Sequence, residues 1–429
     1  MKYKPLPKEL YIKNRQKLLS CLDKNSVAVF NSNDIMPTNA DGVMPFRQNN
    51  DLLYFSGIDQ EETILVIAPN ASNPKYKEVL FIRETSEEIV IWEGAKLTKE
   101  QATELSGIET VFWTSQFEHV FNAIVQEADC IYLNKNEHLR ADSPVETRDD
   151  RFRKWCKEKY PLHTYKRLAP ICRKLRPIKE QYEIEVIQKA CDITEKGLRR
   201  ILKFIKPGVF EYEIEAELAH EFLRNCSRGF AYQPIIASGF NACVLHYIDN
   251  NQPCNDGDLL LMDFGAEYAN YASDLTRTVP VNGKFTKRQK DIYNAVLKVK
   301  KEAEKMLVPG TLHEEYHTEV GRIMESELIN LGLIDKHDVK KQDPKNPLYK
   351  KYFMHGTSHH LGLDVHDVEE RTRRFEENMV FTCEPGIYIR EESIGVRLED
   401  DLVVKSGSPV NLMANIPIEV EEIEDLMNA

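Results

Sequence analysis

Asp263 closes an apolar run, Leu259-Leu260-Leu261-Met262, which follows the turn signal Asp256-Gly257-Asp258 and reads as a buried strand. A carboxylate buried there without a partner would be very costly, so it should meet a cation. Asp274 follows eleven residues later in a second strand-like segment, 271–279, and a hairpin would set the two carboxylates side by side. The same residues allow a plainer arrangement, with Asp263 as a turn or cap residue and Asp274 paired with Arg277.

His355, His359, His360 and His366 fall within twelve residues of a chain that has twelve histidines in all. Neutral imidazole is the commonest nitrogen ligand of transition metals. The spacing of His355 and His359 is that of a helical zinc motif, but Gly356 stands where that motif needs glutamate, and Gly362 weakens a helix further. A surface histidine patch is the alternative. Glu384 lies in an apolar segment, 380–384, broken at once by Pro385-Gly386. Glu399 lies in 395–404, where alternation puts Arg397 and Glu399 on one face and Val396 and Leu398 on the other.

Asp263, Asp274, His359, Glu384 and Glu399 together form an oxygen-rich set with more negative charge than one divalent ion neutralises. Two divalent cations suit it. Its hardness favours manganese over thiolate-preferring metals, with cobalt and zinc as alternatives. Two ions a few ångströms apart can share and deprotonate one water, which gives a hydroxide nucleophile near neutral pH.

Two kinds of element surround these residues. The first ~170 residues alternate short apolar strands (27–30, 63–68, 78–82, 89–92 and 130–133) with helical or loop segments, the pattern of an α/β layer. A basic, proline-punctuated stretch at 166–177 separates this part from a long helical pattern over 180–205, with Ile187, Ala190, Ile193, Gly197 and Ile201 on one face. We place a boundary there, giving domains 1–174 and 175–429. A second helix carries Ile214, Leu218 and Phe222. A third starts at Thr286, with Gln289 completing a capping box, and runs to Met306 before Pro309-Gly310. The polar segment 335–350 reads as a surface insertion.

Bulk properties narrow the function. At 429 residues two domains are expected. The formal charge of −12 argues against nucleic acid as a main partner. The longest apolar runs are strand-sized, far short of a bilayer span, and the N-terminal segment lacks the apolar core of a secretory signal. Nine dispersed cysteines without a CxxC pair read as reduced thiols of a cytoplasmic protein.

In order and spacing, the five candidate ligands resemble those of the creatinase/methionine aminopeptidase superfamily of metallopeptidases. Within it, His355-Gly356-Thr357-Ser358-His359, Leu361-Gly362-Leu363-Asp364-Val365-His366-Asp367, Glu384-Pro385-Gly386-Ile387-Tyr388 and Arg397-Leu398-Glu399-Asp400-Asp401 are similar to the signatures of the aminopeptidase P group. The segment from Phe46-Arg47-Gln48 to Phe55-Ser56-Gly57, with Trp92-Glu93-Gly94, resembles the hallmark of that group's N-terminal domain. The resemblance implies an α+β architecture: a pita-bread catalytic domain of curved antiparallel sheets covered by helices, preceded by a smaller α/β domain.

It further implies a metal-dependent exopeptidase that releases the N-terminal residue from peptides with proline second, through a metal-bridging hydroxide attacking the Xaa-Pro carbonyl. By resemblance, Asp263, Asp274, His359, Glu384 and Glu399 are ligands, with Glu399 helping to bridge two ions and Glu384 shuttling the proton. His246 and His366 orient the scissile carbonyl and stabilise the oxyanion, while His355, Tyr388 and Arg397 line the proline pocket. His360 stands where an aromatic such as tryptophan is expected and is a rival to His359. A prolidase restricted to Xaa-Pro dipeptides shares fold and ligands. An inactive peptide-binding module would lack at least one ligand, and here all five are present. The resemblance also suggests a homodimer or homotetramer.

Overall fold

The β-branched runs of the first part assemble into one mixed sheet. The computed structural model describes residues 3–141, 143–370 and 372–429. They fall into two compact units, Pro5–Arg176 and Pro177–Ala429, with residues 3 and 4 belonging to the second.

In the first unit, β1 (Ser26–Asn31), β2 (Ile64–Ile67), β3 (Glu78–Ile82), β4 (Thr110–Trp113), β5 (Cys130–Leu133) and β6 (Thr164–Arg167) lie in the order β4-β3-β2-β1-β5-β6. The β1–β2 and β2–β3 pairs are antiparallel and the others parallel. Helices α1 (Lys8–Leu19), α2 (Asn50–Ser56), α3 (Glu87–Glu93), α4 (Lys99–Ser106), α5 (Phe117–Val125), α6 (Arg148–Lys159) and α7 (Ala169–Leu175) complete it. Val27, Val29, Val66, Phe81 and Ile131, alternate residues of their strands, form a core with Phe121 and Ile124 of α5.

One strand expectation is overturned here. Residues 89–92 are helical, in α3, because the Ser86 side chain caps the Ile89 amide, two glutamates occupy the first turn and Gly94 ends it. No residue of α3 is buried, and Trp92 is 81% exposed. The two strands not anticipated, β4 and β6, are the edges of the sheet; β6 (TYKR) is largely exposed and polar, whereas β4 (TVFW) carries β-branched and aromatic residues that do signal a strand.

The second unit is built from α8 (Gln181–Leu202), α9 (Glu211–Arg224), α10 (Lys287–Glu304), α11 (His313–Asn330), α12 (Lys336–Val339) and α13 (Val420–Met427) around antiparallel strands. The α8 stripe is buried as its period requires, and Gly197 lets α9 approach: a Cβ there would come within 2.7 Å of Phe222. Thr286 and Gln289 make the capping box of α10. The stretch 335–350 lies at the surface, with Tyr349 its one buried residue.

Strands β7 (Ile235–Ser238), β8 (Leu259–Phe264) and β11 (Leu275–Pro280) form one sheet in the order β11-β8-β7, and β9 (Glu267–Tyr268) pairs with β10 (Tyr271–Ala272). Strand β12 (Val380–Cys383) pairs with β15 (Asp400–Val403), which pairs with β16 (Val410–Asn411). Strands β13 (Gly386–Ile389) and β14 (Ile394–Arg397) make a hairpin. Every pairing in this unit is antiparallel among the described residues. None of the described helices is long and apolar enough to cross a membrane.

Candidate active site

Asp263 sits near the end of β8, opposite Thr276 of β11. Asp274 lies just before β11, two residues from Thr276, so alternation turns it to the same face. The close turn depends on Gly265, where a Cβ would stand 1.8 Å from the Ser273 carbonyl oxygen. The Tyr232 hydroxyl lies 2.6 Å from Asp263 Oδ1 and also meets Asp274 Oδ1. One hydroxyl proton cannot serve both acceptors at once. Arg277 does not pair with Asp274: its guanidinium bonds Asp400 at 2.7 Å.

Asp274, His359 and Glu399 each bring a ligand atom within 4.8 Å of the other two. His359 Nε2 is 3.4 Å from Asp274 Oδ2 and 3.7 Å from Glu384 Oε1. Its Nδ1 lies 3.0 Å from the His360 carbonyl oxygen, an arrangement that directs Nε2 toward the carboxylates. Glu399 Oε2 accepts a 2.6 Å bond from the Thr276 hydroxyl. Asp263 joins the group through Tyr232 and through Arg397, whose guanidinium donates to Asp263 Oδ2.

The electrostatics show what this group lacks. Burial is the main force raising Asp263, Glu384 and Glu399, and the charge of Asp274 adds repulsion at all three; Glu384 is pushed up to about 7. Burial alone would lower His359, but its bond to Asp274 and the charge of Glu384 carry it up to about 9. Four carboxylates facing one guanidinium leave the group short of positive charge, a setting that could hold divalent cations. Hard oxygen donors with one imidazole fit them.

Beside this cluster the other candidate residues take distinct positions. Arg397 Nη1 donates to the Tyr388 hydroxyl at 2.9 Å, and His355 Nε2 lies 2.8 Å from that hydroxyl. Burial, then the Arg397 charge, drives His355 down to about 3. It is therefore neutral, and its 3.9 Å approach to Glu384 is not an ion pair. His366 stacks on His359. His246 is exposed on the loop after β7. His360 is buried with its ring 4.2 Å from that of Phe381, and burial lowers it far below its usual range. It packs in the core and is not among the residues whose ligand atoms converge with those of Asp274 and Glu399.

With this geometry in view, the chain was compared with known proteins. The family model described as metallopeptidase family M24 matches residues 185–406, just over half of the chain. The chain belongs to metallopeptidase family M24. A second model, described as the aminopeptidase P N-terminal domain, matches residues 11–132 of this M24 metallopeptidase. The Xaa-Pro aminopeptidase of Escherichia coli is 36% identical over 437 residues, spanning 99% of this chain and 98% of that protein. Xaa-Pro aminopeptidase 3 of Homo sapiens is 30% identical, spanning 97% and 85%.

Among solved structures, the Pseudomonas aeruginosa aminopeptidase PepP superposes with a TM-score of 0.89 at 31% identity, over 99% of this chain and 98% of that one. A glutamate-to-alanine variant of Escherichia coli aminopeptidase P in complex with substrate gives 0.87 at 34%, over 99% of both chains. The second unit of the M24 chain accordingly has the pita-bread fold, and the family is one of divalent metal ions.

Several residues of the M24 site were not singled out in the sequence. Tyr232 and Thr276 bond directly to candidate ligands. Thr382 Oγ1 accepts from the His359 amide at 3.2 Å. From α11, His313 Nε2 lies 2.9 Å from the Ser358 carbonyl oxygen and His317 Nδ1 lies 2.9 Å from Thr357 Oγ1, both under the loop that carries His355 and His359. Only the last pair had a signal, two histidines four apart at a helix start.

Proposed function

We propose that Asp263, Asp274, His359, Glu384 and Glu399 hold two divalent metal ions, manganese above all. With them this metalloaminopeptidase releases the N-terminal residue from peptides carrying proline in second position. The observation that supports the reading best is the convergence of Asp274, His359 and Glu399, with Glu384 beside them, in a buried group short of positive charge.

When bound, the ions supply Lewis acidity at the substrate carbonyl and bring the attacking water's pKa toward neutrality. The bond to proline is a tertiary amide, so the departing nitrogen carries no proton and must be given one. Glu384 takes a proton from the attacking water and delivers it to that nitrogen, the two halves of general base and general acid catalysis by one carboxylate. His246 and His366 turn donors to the carbonyl oxygen as it becomes negative. The neutral His355 ring, Tyr388 and Arg397 wall the pocket for the proline ring, and their mutual hydrogen bonds fix its shape. All nine cysteines are free thiols, in keeping with a reducing, cytoplasmic setting.

The test is a substrate panel. Release of the first residue from Xaa-Pro-Yaa, with a methionyl-alanyl peptide left intact, is the expected result. Cleavage of Xaa-Pro dipeptides alone would assign a prolidase instead.

A further inference from the structure

His246 stands on a loop whose outer side faces solvent, with Phe240, Val244 and Ile248 all exposed. An exposed loop is a poor place from which to aim a catalytic imidazole unless something holds its inner side. Apolar packing supplies part of that support. Ala242, Cys243 and Tyr247 lie in one cluster with Ile235, Ala237, Leu261 and Tyr388. The loop also presses on β14 so closely that a Cβ on Gly395 would come within 2.2 Å of the Ala242 carbonyl oxygen.

The polar support centres on one side chain. Glu211, the first residue of α9, is fully buried, and its carboxylate accepts four hydrogen bonds. Oε1 takes the Ser238 amide at 2.8 Å and Asn241 Nδ2 at 3.4 Å. Oε2 takes the Tyr247 hydroxyl at 2.7 Å and the Gln252 amide at 2.9 Å. Ser238 and Asn241 lie where the chain enters the loop, Tyr247 follows His246 directly, and Gln252 lies where the chain leaves. One carboxylate thus ties both ends of the segment that presents His246.

One helical turn further on, Glu215 receives Asn250 Nδ2 at 2.8 Å, and Asn250 Oδ1 accepts the Ile236 amide at 2.9 Å. The four donors to Glu211 are all neutral. A carboxylate buried among neutral donors is costly unless its lone pairs are used, and here both oxygens are engaged.

We propose that Glu211 is a positioning residue for His246: it fixes the loop from beneath and acts on the reaction through the imidazole without touching substrate. The proposal rests on the reading that His246 acts at the scissile carbonyl. Glu211→Gln keeps the size of the side chain but sets an amide donor against backbone or side-chain donors. Tyr247→Phe removes one of the four bonds to Glu211, along with two 3.5 Å contacts to Asn251, and is the milder probe should Glu211→Gln fail to fold.

The experiment is a double-mutant cycle in the metal-loaded enzyme with an Xaa-Pro-Yaa tripeptide. Glu211→Gln should lower kcat/KM by about 10- to 100-fold, mostly through kcat, with metal content unchanged. In a His246→Ala background the same substitution should change kcat/KM by less than about twofold. Tyr247→Phe should show a smaller loss with the same dependence on His246. Equal losses in both backgrounds, for either variant, would mean a general structural role and overturn the proposal alone. A His246→Ala enzyme with unchanged kcat/KM would overturn the reading of His246, and the proposal with it.

Discussion

The imidazole of His366 stacks on that of His359, with ring centroids 4.1 Å apart and planes 12° from parallel. One ring belongs to the proposed ligand set and the other to the proposed carbonyl clamp, so the stack brings the two proposed roles into direct contact. Replacing His366 separates the two effects. His366→Phe keeps a flat ring against His359, and should retain full metal content while kcat drops by roughly 10²- to 10³-fold. His366→Ala removes the support as well and should also weaken metal affinity, as loss of an outer-shell partner does. Equal metal loss in both variants would make His366 a scaffold rather than a donor.

Glu384 carries the proton in the proposed reaction and is also a proposed ligand, so Glu384→Gln should weaken metal binding as well as the chemical step, and its kinetics are compared at saturating manganese. It should cut kcat by about 10²- to 10⁴-fold and abolish the acidic limb of the pH–rate profile. Steady-state kinetics across pH check this, and a surviving acidic limb would assign that limb to another group.

Stability should depend on pH in the metal-free protein. The folded state raises Glu384 from 4.5 to about 7 and His359 from 6.5 to about 9. A group raised on folding stabilises fully below its unfolded pKa, and that stabilisation is lost as pH climbs through the folded one. Both groups therefore have the same sign. The Tm of chelator-stripped protein should fall as pH rises from about 5 to about 9, since proton loss leaves the carboxylates facing one another. Metal-loaded protein should show a much weaker decline, because bound ions replace the protons. Thermal unfolding with and without chelator measures both curves, and parallel curves would count against a cation site here.

Lys179 and Asp367 form an ion pair 2.9 Å apart with both side chains 1% exposed. The pair sits at Gly362, where a Cβ would come within 2.3 Å of Asp367 Oδ2 and 2.9 Å of Lys179 Nζ. It anchors the turn that presents His366. Lys179→Met should destabilise by about 3–5 kcal/mol, because it removes the cationic partner of a buried carboxylate. Denaturant unfolding measures this, and a cost near zero would mean that Asp367 finds other donors.

The sequence was most readable where chemistry and burial coincide. Asp263 stood out because a charge at the end of four apolar residues demands an explanation, and the same logic drew attention to Glu384. The capping box of Thr286 and Gln289 and the α8 stripe were equally plain, since local periodicity alone determines them. Residues 89–92 misled because β-branched composition was weighed above the Ser86 cap and the Gly94 stop. Edge strand β6 gave little signal because it is mostly solvated and basic, whereas the β-branched and aromatic residues of β4 were a signal passed over. Tyr232 and Glu211 were invisible for another reason. Their roles depend on partners about 30 to 40 positions away in β8, just before β11 and in the His246 loop, which no local pattern encodes. His360 could be judged only from its burial beside Phe381.

The most direct test of the central claim is a titration of chelator-stripped protein with manganese, following release of the first amino acid from an Xaa-Pro-Yaa peptide and metal bound per chain. The account predicts no turnover in the stripped protein, activity that rises with bound metal, and saturation near two ions per chain in the native enzyme but not in His359→Ala. Turnover by the stripped protein, or two bound ions with no cleavage of the tripeptide, would contradict it.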